Sequence, residues 1–185
     1  MIEDTLREAE GKMRRAIEVA KEEFSGIRTG RANPALVNRL TVDYYGAPTP
    51  LQQLASIAAP EARLLVVSPY DRNAMAAIEK AIRNSDLGIN PSNDGQVIRL
   101  AFPPLTEERR KEYVKLAKQR AEEARTSVRN VRRHAKEALE RLEKDGEISQ
   151  DELRRAEQRV QQITDKYVGE VDSLLQHKER ELLEV

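Results

Sequence analysis

Proline is confined to the middle of this chain. All eight prolines, at positions 34, 48, 50, 60, 69, 91, 103 and 104, fall between Arg31 and Leu105. Proline removes a backbone donor and clashes inside a helix, so only the two flanking tracts can form long helices. Charge divides in the same way. The 75 residues from Arg31 to Leu105 hold 13 charged side chains, and the other 110 residues hold 51. A segment with many prolines and few charges suits a compact, turn-rich core, whereas a charged, proline-free tract suits amphipathic helices. Two architectures therefore share one chain of 185 residues, and the middle one reads as an insertion.

The flanks carry the helical period. Leu6, Ala9, Met13, Ile17, Ala20, Phe24 and Ile27 recur every three or four residues. A second stripe runs through Ala117, Ala121, Ala124, Val128, Val131, Ala135, Ala138 and Leu142, and a third through Leu153, Ala156, Val160, Ile163, Tyr167, Val171 and Leu174. An isolated helix is marginal in water, so each stripe needs another to cover it. Three stripes facing one another make a three-helix bundle. Thr106 is a suitable N-cap for the second helix, with Glu107 and Glu108 where the helix dipole favours acid. That helix is expected from Glu107 to about Asp145, with Gly146 as its stop. Ser149 and Glu152 form a capping box for the third, with Ile148 and Leu153 as a hydrophobic staple.

The middle segment reads as α/β. Leu40 to Tyr44 alternates like a strand, Leu64 to Val67 is a short apolar strand, and Ala55 to Ala58 is a weaker one. Asp71 is placed to cap a helix from Arg72 to about Ser85, with Gly88 as its stop and Asp86 as a second capping residue. Asn93-Asp94-Gly95 signals a turn before a strand from Val97 to Leu100. The expected fold is α+β. Residues 1–30 and 106–185 form an elongated antiparallel three-helix bundle, and residues 31–105 form an inserted small β/α/β sandwich domain.

Catalytic equipment is sparse. With no cysteine, the chain has no disulfide, iron–sulfur cluster, thiolate zinc site or thiol nucleophile. His134 and His177 lie on different helices with no cysteine or second histidine nearby, so no metal site is expected. Neither a Walker A pattern nor G-x-G-x-x-G nor G-x-S-x-G occurs, so no catalytic residue and no cofactor is expected. No apolar run approaches a membrane span. The acidic start Met1-Ile2-Glu3-Asp4 does not resemble a signal peptide, so a cytoplasmic protein is expected.

Net charge is zero overall but not locally. Thr106 to Gly146 carries +4 and Glu147 to Val185 carries −4. From Arg125 to Lys136 there are five basic residues and no acid. At about 100° per residue, Lys111, Lys118, Arg125, Arg129, Arg132 and Lys136 fall within roughly 60° of one another, roughly 110° from the apolar stripe. Only Glu122 interrupts this ridge closely. One reading is a solvated face paired with acids of the third helix. The other is contact with a phosphate backbone, for which the forked guanidinium is suited. A narrow arginine ridge on a neutral protein suits one docking site on an RNA surface, recognised by shape and backbone, better than a free DNA binder. The junctions form a second feature. Arg28-Thr29-Gly30-Arg31-Ala32 leads out of the bundle and Phe102-Pro103-Pro104-Leu105-Thr106 leads back. Two short connections at 29–32 and 102–106 have the geometry of a hinge, with Thr29, Gly30, Arg31, Pro103, Pro104 and Leu105 as its residues. Two plain linkers at a fixed angle are the alternative.

Five segments in order also resemble the ribosome recycling factor family, bacterial type. They are Ile27 to Pro34, Tyr44 to Leu51, Asp86 to Pro91, Pro103 to Arg110 and Val128 to Arg133. The resemblance implies an L-shaped protein, acting as a monomer in the intersubunit space of the ribosome after termination. It implies that elongation factor G and its GTP hydrolysis act with the protein to separate the subunits, releasing mRNA and tRNA. It implies no membrane or DNA partner. By the family pattern, Arg110, Arg129 and Arg132 meet large-subunit rRNA, with Arg28, Arg31 and Arg133 as neighbours, and the inserted domain and hinge face elongation factor G. Two other readings stand beside it. One is a structural or chaperone-like helical bundle that binds partner helices. The other is an enzyme housed in the middle domain, for which the sequence supplies no polar cluster.

Overall fold

The structure is a computed structural model, and it describes residues 1–184. The chain divides into two compact units. One comprises Met1–Phe24 with Val114–Val185, and the other Ser25–Tyr113.

The first unit is helical. Helix α1 runs Ile2–Ser25, so Ile27, placed on its stripe by period, is buried just beyond its end. Helices α4, Glu107–Lys144, and α5, Gln150–Leu183, complete the bundle. Leu6 and Ala9 of α1 pack with Ala135 and Leu139 of α4 and with Ala156 and Val160 of α5. Glu3 bonds Arg159, and seven residues on, Glu10 accepts from the Tyr167 hydroxyl at 3.1 Å, so α1 and α5 run parallel. Arg125 of α4 meets Asp172 of α5 while Leu139 meets Ala156, so α4 runs antiparallel to both. The α4 stripe buries Ala117, Ala121, Ala124 and Ala135, small residues that permit close approach of the helices. Ala138 departs from its expected place and is exposed, while Leu142 is half-buried. One buried polar group, Thr164, donates its hydroxyl to the Val160 carbonyl at 2.8 Å and so needs no partner elsewhere.

The helix ends are set by local chemistry. Thr106 Oγ1 accepts from the Arg109 N–H at 3.1 Å. Gly146 takes φ +73 where α4 ends. Ser149 Oγ accepts from the Glu152 N–H at 3.1 Å, and Glu152 accepts from the Ser149 N–H at 3.2 Å, which closes the capping box.

The second unit holds two antiparallel sheets. β1, Thr41–Tyr44, pairs with β2, Ala47–Pro50. Tyr45 and Gly46 join them with φ +51 and +81, the left-handed pair that a two-residue hairpin turn requires. A single helical turn, α2 at Leu51–Leu54, follows. The larger sheet has the order β3-β4-β6-β5, with β3 at Ala55–Glu61, β4 at Leu64–Pro69, β5 at Ser92–Asn93 and β6 at Ile98–Ala101. Leu65 pairs with Leu100 and Val67 with Ile98, so these four buried side chains share one face. Helix α3, Met75–Arg83, lays Ile78 and Ile82 against that core.

Around α3 the structure differs from expectation. Asp71 caps a 3-10 turn, Arg72–Ala74, by accepting from the Asn73 N–H at 2.9 Å, and the α-helix begins only at Met75. It ends at Arg83, not Ser85. The Ser85 hydroxyl donates to the Ile82 carbonyl at 2.6 Å and accepts from the Leu87 N–H at 3.4 Å. Ser85 thus takes the role expected of Asp86, and Gly88 adopts its φ of +65 in the following loop rather than as the helix stop.

Candidate functional site

The basic file on α4 is not uniform, because its partners differ from turn to turn. Arg125 is clamped. Its Nε and Nη2 donate to Asp172 Oδ1 of α5 at 2.9 and 2.6 Å, and its Nη1 donates to Glu122 at 3.1 Å. Its side chain is only 19% exposed. Burial works against the Arg125 charge, but the hydrogen bonds to Asp172 and Glu122 outweigh it and raise the pKa further. Glu122 also receives Arg129 at 3.5 Å. The reading of a face paired with acids of the third helix therefore holds at Arg125.

Two turns further along the partners change. Arg132 Nη1 donates to Gln161 Oε1 of α5 at 3.3 Å, and that acceptor is a neutral amide. Gln161 Nε2 in turn donates to Asp165 Oδ1 at 2.8 Å. Arg133 and Lys136 are exposed and have no carboxylate partner among the described residues. Arg129, Arg132, Arg133 and Lys136 line one shallow concavity together with Asn130, Glu137 and Glu140. From Arg129 to Lys136 the file carries more cation than its neighbours neutralise, and that is the part able to meet an external anion.

The six arginines named from the sequence therefore separate. Arg129, Arg132 and Arg133 come together on the bundle. Arg28, Arg31 and Arg110 belong to the other unit. Arg110 is half-buried in the first turn of α4, and Arg31 is exposed. Arg28 serves the junction itself. Its Nη2 donates to the Pro103 carbonyl at 3.1 Å, its guanidinium carbon lies 5.7 Å from the Phe102 ring centroid, and its Nε is buried without a hydrogen-bond partner. Cation–π contact and a carbonyl acceptor thus tie the outgoing segment to the returning one. Gly30, at φ +86, faces Leu105, whose Cγ would lie 3.6 Å from an added Cβ.

Sequence reasoning missed Gln161, Asp165 and Asp172. They lie on α5 among many polar residues, and only the register between α4 and α5 shows which of them reach an arginine. Among the described residues, no group of three or more His, Cys, Asp or Glu could hold a metal ion, and no helix is long and apolar enough to cross a membrane. Both histidines are exposed, and His177 Nε2 lies 2.7 Å from Glu181 Oε1.

The structure is thus a charged helical bundle with a β-rich insertion, and the arginines along its longest helix are only partly neutralised. Residues 20–183 match the family model described as ribosome recycling factor. The chain belongs to the ribosome recycling factor family. It is 61% identical to the ribosome-recycling factor of Acidothermus cellulolyticus and 62% identical to that of Thermobifida fusca, in each case over the whole of both chains. Among solved structures it is similar to a solution structure of ribosome recycling factor, with a TM-score of 0.79 and 48% identity over all of this chain and 98% of the other. It is also similar to the T. thermophilus ribosome recycling factor described with E. coli elongation factor G bound to the E. coli post-termination complex. There the TM-score is 0.71, with 48% identity over the whole of both chains. The family is one of translation factors, which favours recycling over a chaperone-like bundle, and the matches name no catalytic activity. Exposed large apolar residues on the bundle helices, Val19 and Leu183, are scattered rather than gathered into a face for partner helices.

Proposed function

We propose that this chain, as a cytoplasmic monomer, binds the post-termination ribosome. With elongation factor G and GTP it splits the ribosome into subunits, so that mRNA and deacylated tRNA are released. The observation that carries the docking step is the change of partners along α4. Arg125 is neutralised by Asp172, whereas Arg132 faces a neutral amide and Arg133 has no carboxylate partner among the described residues. Charge left uncompensated in a defined arrangement is what a phosphate backbone takes up, with release of its counterions. In this reading Arg129, Arg132 and Arg133 dock on large-subunit rRNA, with Arg110, Arg28 and Arg31 as further contacts. The chain does no chemistry of its own, so the energy for splitting comes from the partner's GTP hydrolysis. The segments Thr29-Gly30-Arg31 and Pro103-Pro104-Leu105 are the hinge. The Arg28 bond to the Pro103 carbonyl supports this, because it makes the two segments move as one.

The test is breakdown of polysomes by the purified chain with and without elongation factor G and GTP. Breakdown that needs all three supports the reading, and none in the complete mixture refutes it. In parallel, Arg132→Ala should weaken ribosome binding and lower the slope of log K against log salt by about one. Unchanged binding across a salt series would remove Arg132 from the interface.

A further inference from the structure

The two α5 residues that face the basic file differ in one respect. Asp172 meets Arg125 with a carboxylate, and Gln161 meets Arg132 with a carbonyl. A carboxylate fixes a guanidinium and cancels its charge. An amide oxygen fixes it and leaves the charge intact. The amide of Gln161 could present either end to α4, and Asp165 decides which. Asp165 Oδ1 accepts from Gln161 Nε2 at 2.8 Å, so the nitrogen is turned toward the acid and the oxygen toward Arg132 Nη1, 3.3 Å away. Gln161 and Asp165 stand four apart on α5, the spacing at which helix side chains meet. Reversing the amide would turn its oxygen to a carboxylate and its N–H to a guanidinium, two repulsions at once.

We propose that Gln161, oriented by Asp165, is a positioning residue that holds the Arg132 guanidinium ready for phosphate without neutralising it. The proposal rests on the docking role of Arg132 given above. The rest of the guanidinium is held in place before the partner arrives, and Arg132 loses less rotamer freedom when it binds. Immobilising a long side chain at an interface costs roughly 0.5–1.5 kcal/mol, so the benefit corresponds to about a twofold to tenfold gain in affinity.

The experiment measures binding to purified ribosomes across a salt series for the wild type, Arg132→Ala, Gln161→Ala, Gln161→Glu and the double variant Arg132→Ala/Gln161→Ala. Gln161 is exposed, so these substitutions leave the bundle core untouched. Gln161→Ala is expected to bind about twofold to tenfold more weakly with an unchanged salt slope, because the charge remains. Gln161→Glu is expected to bind more weakly with the slope reduced by about one, because the new carboxylate cancels the charge. In the Arg132→Ala background, Gln161→Ala is expected to add no further loss. Three results would overturn the proposal, and each does so differently. If both Gln161 variants bind as wild type while Arg132→Ala is weak, Arg132 docks without help from Gln161. If the Gln161→Ala loss persists in full beside Arg132→Ala, Gln161 touches the ribosome itself. If Arg132→Ala binds as wild type, the docking role fails and the positioning role falls with it.

Discussion

Asp172 of α5 receives both the Nε and the Nη2 of Arg125 of α4, at 2.9 and 2.6 Å, on one carboxylate oxygen. The pair joins two helices at a point where Arg125 is 19% and Asp172 54% exposed. Partial exposure reduces what a charge-assisted pair contributes. Asp172→Asn should therefore destabilise the bundle by about 1 kcal/mol, measured by urea denaturation. The same substitution returns a cation to the basic file, so ribosome binding should become steeper in salt. A slope equal to that of the wild type would place Arg125 outside the docking face.

Asp94 sits in the turn between β5 and β6. The N–H groups of Val97 and Gln96 and the Arg99 guanidinium bond its carboxylate and lower its pKa to about 2. A depressed carboxyl pKa means that the folded state favours the ionised form. The stabilisation is complete above the ordinary Asp range near 3.8 and is lost as pH falls through about 2. A carboxyl-carbon NMR titration should show Asp94 changing shift well below pH 3.8, and Asp94→Asn should remove that part of the acid sensitivity. A midpoint at the ordinary value would mean that the turn does not hold the carboxylate in solution.

Gly30 has φ +86 with room for a methyl group, since the nearest atom to an added Cβ is Leu105 Cγ at 3.6 Å. Gly30→Ala therefore meets backbone strain without a clash and should cost about 1 kcal/mol, read from the thermal midpoint. Gly30→Pro cannot take a positive φ at all. It is expected to impair subunit splitting more than ribosome binding. Equal losses in the two assays would count against the hinge.

Where local chemistry decides, the sequence was sufficient. Ser149 and Glu152 announced the start of α5, and Gly146 announced the end of α4, because capping involves only residues within a turn of each other. The α1 stripe from Leu6 to Phe24 gave its buried face directly. Strand β2 was not foreseen, since Pro48 and Pro50 argue against a strand. They fit because β1 and β2 form a sheet of only two strands, so each has an outer edge where a missing N–H costs nothing. Helix α2 is a single turn, too short for any period to show. At the candidate site, periodicity placed Arg125, Arg129 and Arg132 on one face, but it could not say which were neutralised. Arg125 and Asp172 are 47 residues apart, and Arg132 and Gln161 are 29 apart. Those pairings follow from the register between two long helices, which no local rule encodes.

The junction has a consequence for how the chain finds its fold. The Ala32 N–H bonds the Ala62 carbonyl and the Phe102 N–H bonds the Arg63 carbonyl, both at 2.7 Å, while Arg28 reaches Pro103. The insertion is thereby pinched shut at its neck. The entropy of closing a loop depends on the length of free chain between its ends. Once the neck is tied, α1 and α4 are joined by a few residues in place of the whole insertion. Leu6 and Leu139, distant in sequence, then become partners in an ordinary helical hairpin. Forming the small unit first would turn the slow search for a distant helix into a local one.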